Sequence, residues 1–311
     1  MTAAPAISAP PTPTPEDIVR DLRDLPSAPK VLPPLKRLLS DPNSSMNNVV
    51  RLIRLDPGIA ARVLRMGNSA YYSGGTRCFT VDEAVNRVGY NQVYELVSYA
   101  VASQVLVRPL AAYDLEADLL WSQSVTCALA AEIVAERSGQ DLDVAYTVGL
   151  LHSLGMVAID DWIDRTRPGL KLAQQGFPRE ATEAERAALG FTQADTGAAL
   201  LRHWDFPTPM CEPVRWQYAP RSCSGHVRMA CLLQVAKWIR TAISRPRNER
   251  PAPPVEGVLQ MLPLRVSELD DLVASAQRKL KEVSSLLEVE GTRPRELLQF
   301  PSDVWREAAS Q

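Results

Sequence analysis

The 311-residue chain lacks any run near the ~18 consecutive apolar residues that a membrane-crossing helix requires. Its N-terminus has neither a basic start nor an apolar stretch of the secretory kind. A cytoplasmic location, without a membrane partner, is therefore the default expectation. Excess charge of either sign is also missing. The 34 Lys and Arg residues nearly balance 36 Asp and Glu, and the formal charge of -2 offers no general attraction to nucleic acid or anionic lipid. Any such binding would need a local patch. Cysteines are few and odd in number: Cys78, Cys127, Cys211, Cys223 and Cys231 are scattered, mostly inside apolar helical patterns. That excludes a disulfide framework and suits buried, reduced thiols. The one spacing of zinc-site type, Cys223-x-x-His226 with Cys231 nearby, lacks a second close pair and reads better as a helix with small buried residues. Strand-type alternation is absent along the whole length.

What is present is a hydrophobic content of 46% with 23% charged residues, enough for a full core in one large domain or two intimate ones. The pattern predicts an all-α fold. Residues 1–15, with five prolines among Ala, Thr and Ser, read as a disordered tail. An N-terminal helical part follows over 16–115, with a rigid connector at Leu25 to Pro29 and a helix ending near Ser40. Asp56-Pro57 should stop one helix and cap the next, which carries Ile59, Val63 and Met66 on one face and ends near Gly67-Asn68-Ser69. Thr80-x-x-Glu83 is a capping box opening a helix that Gly89 should close, and Val93, Leu96, Val97 and Ala100 suggest another.

Residues 116–244 form a second helical part. Here Ser124, Ala128, Ala131 and Ala135 allow close helix approach. Val148 to Ile159 reads as one central buried helix, and further helices are expected at Thr192 to His203, Pro209 to Tyr218 and Gly225 to Ile243. A Pro- and Arg-rich linker spans 245–266. An amphipathic helix with its tail occupies 267–311, with Leu269, Leu272, Ala276, Leu280, Val283 and Leu287 in a stripe. That stripe suits a lid on the core better than a dimerising coil, because it lasts under three heptads. No further sensor or output domain is expected.

The segment from Asp56 to Tyr72, DPGIAARVLRMGNSAYY, resembles the signature of the HD-related output domain (HDOD) family. The order continues with Leu25-Pro26-Ser27-Ala28-Pro29 upstream, then Val81 to Gly89, Trp121-Ser122-Gln123-Ser124, Gly149-Leu150-Leu151-His152-Ser153-Leu154-Gly155, and Gly197 to Pro207 with Trp204 and Phe206. The resemblance covers roughly residues 17 to 240. It implies a multi-helix HD-like bundle, a non-catalytic relative of the HD and HD-GYP phosphohydrolases. In those enzymes histidines and a His-Asp pair hold divalent metals that activate water on a phosphoester.

Position by position, the resemblance implies that the expected ligands have been replaced. Gln123 stands where the first histidine would follow Trp121, the His-Asp pair has become His152-Ser153, Gln193 takes the place of a third histidine, and Gln217-Tyr218 occupies a His-His position. One imidazole, even helped by Asp195, cannot supply the three or more ligands of an open catalytic metal site. The expectation is thus no catalytic residue, no metal, no cofactor and no enzymatic activity. His152 reads as a hydrogen-bonded core residue.

Three other readings bear on partners. Gln123, Gln193 and Gln217 would form a polar pocket for a small nucleotide if they converged. Arg51, Arg54, Arg62 and Arg65 would make a basic stripe for DNA, but arginines opposite an apolar face are ordinarily just solvated, and the chain is acidic overall. Tyr71 and Tyr72, with Arg62 and Arg65, are candidates for a partner-facing surface. The leading expectation is a bacterial signal-transduction module acting through contact with another signalling protein, with a dimer through the C-terminal helix left open. The alternative is a divergent metal-dependent phosphohydrolase, followed by a nucleotide-sensing or DNA-binding regulator.

Overall fold

A computed structural model describes residues 13–20, 22, 35, 38, 44–90, 92–93, 109–172, 178–243 and 245–289. The connector at Leu25 to Pro29, the end of the helix near Ser40, the helix expected through Leu96 to Ala100 and both extreme tails lie outside the described residues. Along the chain the helices are α1 (Pro15–Arg20), α2 (Met46–Ile53), α3 (Pro57–Asn68), α4 (Val81–Val88), α5 (Ala117–Ser138), α6 (Leu142–Leu151) and α7 (Leu154–Thr166). They continue as α8 (Pro178–Leu189), α9 (Gln193–His203), α10 (Thr208–Arg215), α11 (Val227–Ile243), α12 (Glu256–Gln260) and α13 (Leu269–Val289). No strand occurs among the described residues, as the missing alternation required.

Local chemistry sets the first boundaries. Asp56 accepts from the Ile59 amide at 2.9 Å and Pro57 fills the first turn, so α3 starts where the backbone amides would otherwise lack acceptors. Thr80 and Glu83 satisfy each other's backbone amides in a reciprocal box at the start of α4. Gly89 ends α4 at φ 87°, a conformation a side chain would resist. Asn68 is turned inward, giving to the Cys78 carbonyl and accepting from its amide, which pins the loop between α3 and α4. Ser69 caps α3 by donating to the Met66 carbonyl.

A half-buried arginine ties this N-terminal part to the rest. Arg54 lies 3.4 Å from Glu132 on α5, 3.3 Å from Asp143 on α6 and 3.9 Å from Asp82 on α4. Its guanidinium sits 4.1 Å from the centre of the Tyr146 ring, and the Tyr146 hydroxyl gives back to the Arg54 carbonyl at 2.7 Å. Of the four arginines considered from the sequence as a basic stripe, Arg54 is drawn into this ion-pair cluster and Arg65 lies over the Trp204 ring at 5.6 Å.

In the second part α5 and α6 run side by side at unusually close range. A Cβ at Gly149 would fall 2.8 Å from the Ala128 Cα and 2.9 Å from the Cys127 carbonyl oxygen, so only glycine fits against that small-residue face. The run from Val148 to Ile159 is not one helix, as its apolar density suggested, but the junction of two. His152 ends α6 and Ser153 opens α7 at φ -104° and ψ 2°. The reason is polar competition. The His152 carbonyl accepts from the Gln217 side chain at 3.0 Å, while the Met156 amide bonds to Ser153 instead. Read together, Leu142–Thr166 is long and apolar enough to cross a membrane, but 78% of its most apolar window is buried inside the protein.

The amphipathic α13 acts as a lid. Leu269, Leu272, Val273, Ala276 and Leu280 are buried in the same continuous core as α5 and α11. Charges fasten it: Lys279 bonds Glu132 at 2.6 Å, Arg250 bonds Asp270 at 2.5 Å, and Arg137 pairs with Glu268. The described half of the stripe is thus spent inside the chain. Val283 and Leu287 lie beyond the side chains described.

Candidate functional site

The break between α6 and α7 lies at the centre of a buried polar cluster. His152 is 2% exposed, and both ring nitrogens are engaged. Nδ1 lies 2.7 Å from the Gly149 carbonyl, to which it donates, so Nε2 carries the lone pair and accepts from Arg240 Nη1 at 3.2 Å. Burial, then the Arg240 and Lys237 charges, hold its pKa well below the usual histidine range, so the ring is neutral. The expectation of a hydrogen-bonded core histidine is met.

Gln217, wholly buried, organises the next layer. Its amide nitrogen gives to the carbonyls of His152 at 3.0 Å and Val214 at 2.9 Å, and its oxygen accepts from Lys237 Nζ at 2.7 Å. The Lys237 ammonium also lies 3.6 Å from the centre of the Tyr218 ring. The Tyr218 hydroxyl accepts from the Gln193 amide at 2.7 Å. Gln193 and Gln217 are therefore joined through Tyr218 and Lys237. Gln123 is half-buried on α5, and none of these bonds reaches it. Ser153 pairs with Ser124 at 2.9 Å, a neutral hydroxyl contact.

Asp195 does not assist His152. Its carboxylate accepts from the Thr192 amide at 3.0 Å and hydroxyl at 2.9 Å, closing the start of α9. The carboxylate nearest the cluster is instead Glu185, fully buried on α8. It accepts from the Tyr113 hydroxyl at 2.7 Å and from the Gln193 backbone N–H at 2.8 Å. Burial pushes its pKa up to about 7 against the stabilising pull of those two bonds and of Lys237. Gly155 makes this geometry possible. A Cβ there would stand 1.9 Å from the Gln193 carbonyl oxygen and 2.7 Å from the Gly197 amide, so α7 and α9 touch backbone to backbone.

Sequence reasoning missed Lys237, Arg240, Glu185 and Tyr113. A signal for the first two was available: α11 has Leu233, Ala236, Lys237 and Arg240 at helical spacing on one stripe, so two cations sit where an apolar residue would be expected. Glu185 gave no such signal, because α8 is otherwise a polar helix.

The residues present do not fit a divalent metal. Among the described residues no three His, Cys, Asp or Glu side chains come together as a metal-binding group, and the His152 imidazole already donates and accepts within the protein. Around it stand neutral amides, hydroxyls and two cationic side chains, which repel a metal ion. Tyr71, by contrast, is 86% exposed and packs edge-to-face with the half-buried Tyr72 at 4.7 Å, on a loop away from this cluster.

The helix order and the polar cluster at the α6–α7 junction define an all-helical domain of the HD-like class. The chain belongs to the HDOD domain family, whose model matches residues 25–220. It is 29% identical over 201 residues to an "Uncharacterized protein" of Treponema pallidum (strain Nichols), covering 63% of this chain and 38% of that protein. The chain thus spans well under half the length of the curated relative it matches. Among solved structures it is similar to the MmoQ response regulator of Methylococcus capsulatus str. Bath, with TM-score 0.64 and 20% identity over 81% of this chain and 98% of that one. A virulence factor of Campylobacter jejuni subsp. jejuni has TM-score 0.62 and 18% identity over 87% of this chain and 100% of that one. At such identities the likeness is one of fold.

Proposed function

We propose that the chain is a non-enzymatic signal-transduction module that works through contacts with another protein and keeps its HD-type pocket free of metal. The observation that carries this reading is the pairing of His152 Nε2 with Arg240. The lone pair a metal would need is held by a cation of the protein, and Lys237 adds a second positive group to the same cluster. A water to be activated for attack on a phosphoester would find no free carboxylate base there, since Asp195 is a helix cap and Glu185 is bonded on both oxygens. Family membership and the likeness to a response regulator agree with a signalling role. The Tyr71–Tyr72 loop, projecting an aromatic ring almost fully into solvent, is the surface offered to the partner.

The test is metal analysis of the purified protein combined with turnover assays on cyclic dinucleotides and model phosphoesters. No stoichiometric metal and no turnover are expected. Stoichiometric Mn, Fe or Zn with metal-dependent turnover would establish the competing reading, a divergent phosphohydrolase.

A further inference from the structure

Lys237 and Arg240 sit one turn apart on α11, 9% and 6% exposed, and neither forms an ion pair with a carboxylate of the described residues. Lys237 meets only an amide oxygen and the face of a tyrosine, and Arg240 gives one hydrogen bond to a neutral imidazole. Glu185 attracts Lys237 but makes no hydrogen bond or ion pair with it, so two desolvated basic groups are held close together with little compensating negative charge, a costly arrangement. A fold normally avoids that cost or offsets it with an anion. Burial and the Arg240 charge already pull the Lys237 pKa well below its ordinary value.

A second observation lies on the same bonded chain. Gln193 is 2% exposed and its Oε1 has no hydrogen-bond partner, although its amide nitrogen is bonded to Tyr218, the residue whose ring faces Lys237. A buried acceptor left open is costly and calls for a donor. The cluster therefore offers two cations seeking an anion and one carbonyl seeking a donor. A hydrogen phosphate satisfies both, because it carries charged oxygens and one P–OH group, whereas sulfate and carboxylate have acceptors alone at neutral pH.

We infer that the Lys237–Arg240 face of α11, with Gln193, is a binding site for a phosphate-class anion, whether free phosphate or the terminal phosphoryl group of a small ligand. This rests on the metal-free reading of the same pocket. The anion takes the guanidinium and ammonium groups as donors and gives its hydroxyl proton to the Gln193 carbonyl. Binding joins α11 to the start of α9 and so couples ligand occupancy to the helix packing around the α6–α7 break.

The experiment is thermal unfolding of the EDTA-treated full chain in chloride, sulfate and inorganic phosphate at matched ionic strength, with adenosine monophosphate as a further arm. Phosphate should raise Tm saturably, by roughly 5 °C when about a hundredfold above its Kd, and more than sulfate does. Equal effects of sulfate and phosphate would reduce the response to general salt stabilisation and overturn the inference. A response to both phosphate and the monophosphate assigns the site to a phosphoryl end; a response to phosphate alone assigns it to the free ion. Lys237→Met and Arg240→Met should each abolish the difference between the salts. Should either variant fail to fold, phosphate-induced amide shifts in the wild-type protein decide: they should centre on Gln193, Gln217, Tyr218 and the Val235 to Arg240 turn, and shifts confined elsewhere would refute the site. Metal-dependent turnover in the earlier assay overturns the non-enzymatic reading and this inference with it, whereas a turnover-free protein blind to phosphate overturns this inference alone.

Discussion

Arg240 places a guanidinium nitrogen 3.2 Å from Nε2 of His152, so the imidazole at the α6–α7 break is held by one of the protein's own cations. The relationship explains why the ring stays neutral and why its other nitrogen is fixed as a donor to Gly149. It also explains the residue's burial: a histidine with both nitrogens satisfied is tolerated inside an apolar helix pair.

Replacing Arg240 by Met should therefore act on His152 in a defined direction. Loss of the nearby charge raises the histidine pKa toward its ordinary range, and loss of the donor leaves Nε2 unsatisfied at a cost of about 1–3 kcal/mol. Histidine proton NMR titration of the variant, alongside chemical denaturation, measures both. An unchanged His152 titration would show that the contact does not control the ring.

The backbone contact at Gly155 leads to a sharper expectation. Gly155→Ala puts a methyl group 1.9 Å from the Gln193 carbonyl oxygen, a backbone atom that cannot swing aside, so α7 and α9 must separate. The loss should reach about 3 kcal/mol or more, in the range of severe overpacking. Gly74→Ala is the control. It meets no neighbour but carries a φ of 53°, so it should cost only about 1 kcal/mol. Similar Tm changes in the two variants would contradict the close approach.

The Arg54 clamp should be worth more than a surface ion pair. Its guanidinium is mostly buried among Glu132, Asp143 and Tyr146, and Arg54→Met leaves Glu132 with Lys279 alone. A loss of about 2–4 kcal/mol is expected, since removing one member strands partly buried charge. A double-mutant cycle of Arg54→Met with Glu132→Gln should return a coupling above about 1 kcal/mol. A coupling near zero would make the clamp decorative.

For the C-terminal helix the two readings of the stripe separate cleanly. Leu272→Ala removes a side chain packed in the core, so it should lower stability by about 2–4 kcal/mol and leave the sedimentation mass unchanged. A change of oligomeric state without a change in the monomer's stability would instead support a coil.

Much of this architecture was legible in the residues because it is set locally. Asp56-Pro57, Thr80 with Glu83 and the small residues of α5 each announce a cap or a close contact through their own chemistry. The helix break at His152 was not legible, because it is imposed by Gln217 from 65 positions away. The site was half legible for the same reason. His152, Gln193 and Gln217 stood out as replacements in a known pattern, but Asp195 proved to be a cap, and the cations that define the cluster come from the otherwise apolar α11. Glu185 lies on a polar helix, and its buried carboxylate looks, in sequence, like the exposed Glu183 beside it.

Glu185 gives the last prediction, in which the sign of the pH dependence is the test. Its pKa in the folded protein is about 7, above the ~4.3 of an exposed glutamate, so between these values the folded chain binds more protons than the unfolded one. Its contribution to stability is therefore full below about pH 4, declines as pH rises through about 7, and is then lost, an effect of up to about 3 kcal/mol. His152 works in the opposite direction over an overlapping range, because its depressed pKa removes stability as pH falls below its ordinary value of 6.5. The wild-type profile is thus a composite, and the Glu185 part is isolated by difference. Glu185→Gln keeps an acceptor for the Tyr113 hydroxyl but removes the titrating group and one acceptor for the Gln193 amide. The variant should be less stable than wild type near pH 5 and should close that gap as pH rises past 7. Denaturant unfolding at a series of pH values reads the gap directly, and a gap that stays constant from pH 5 to 8.5 would mean that Glu185 does not titrate there.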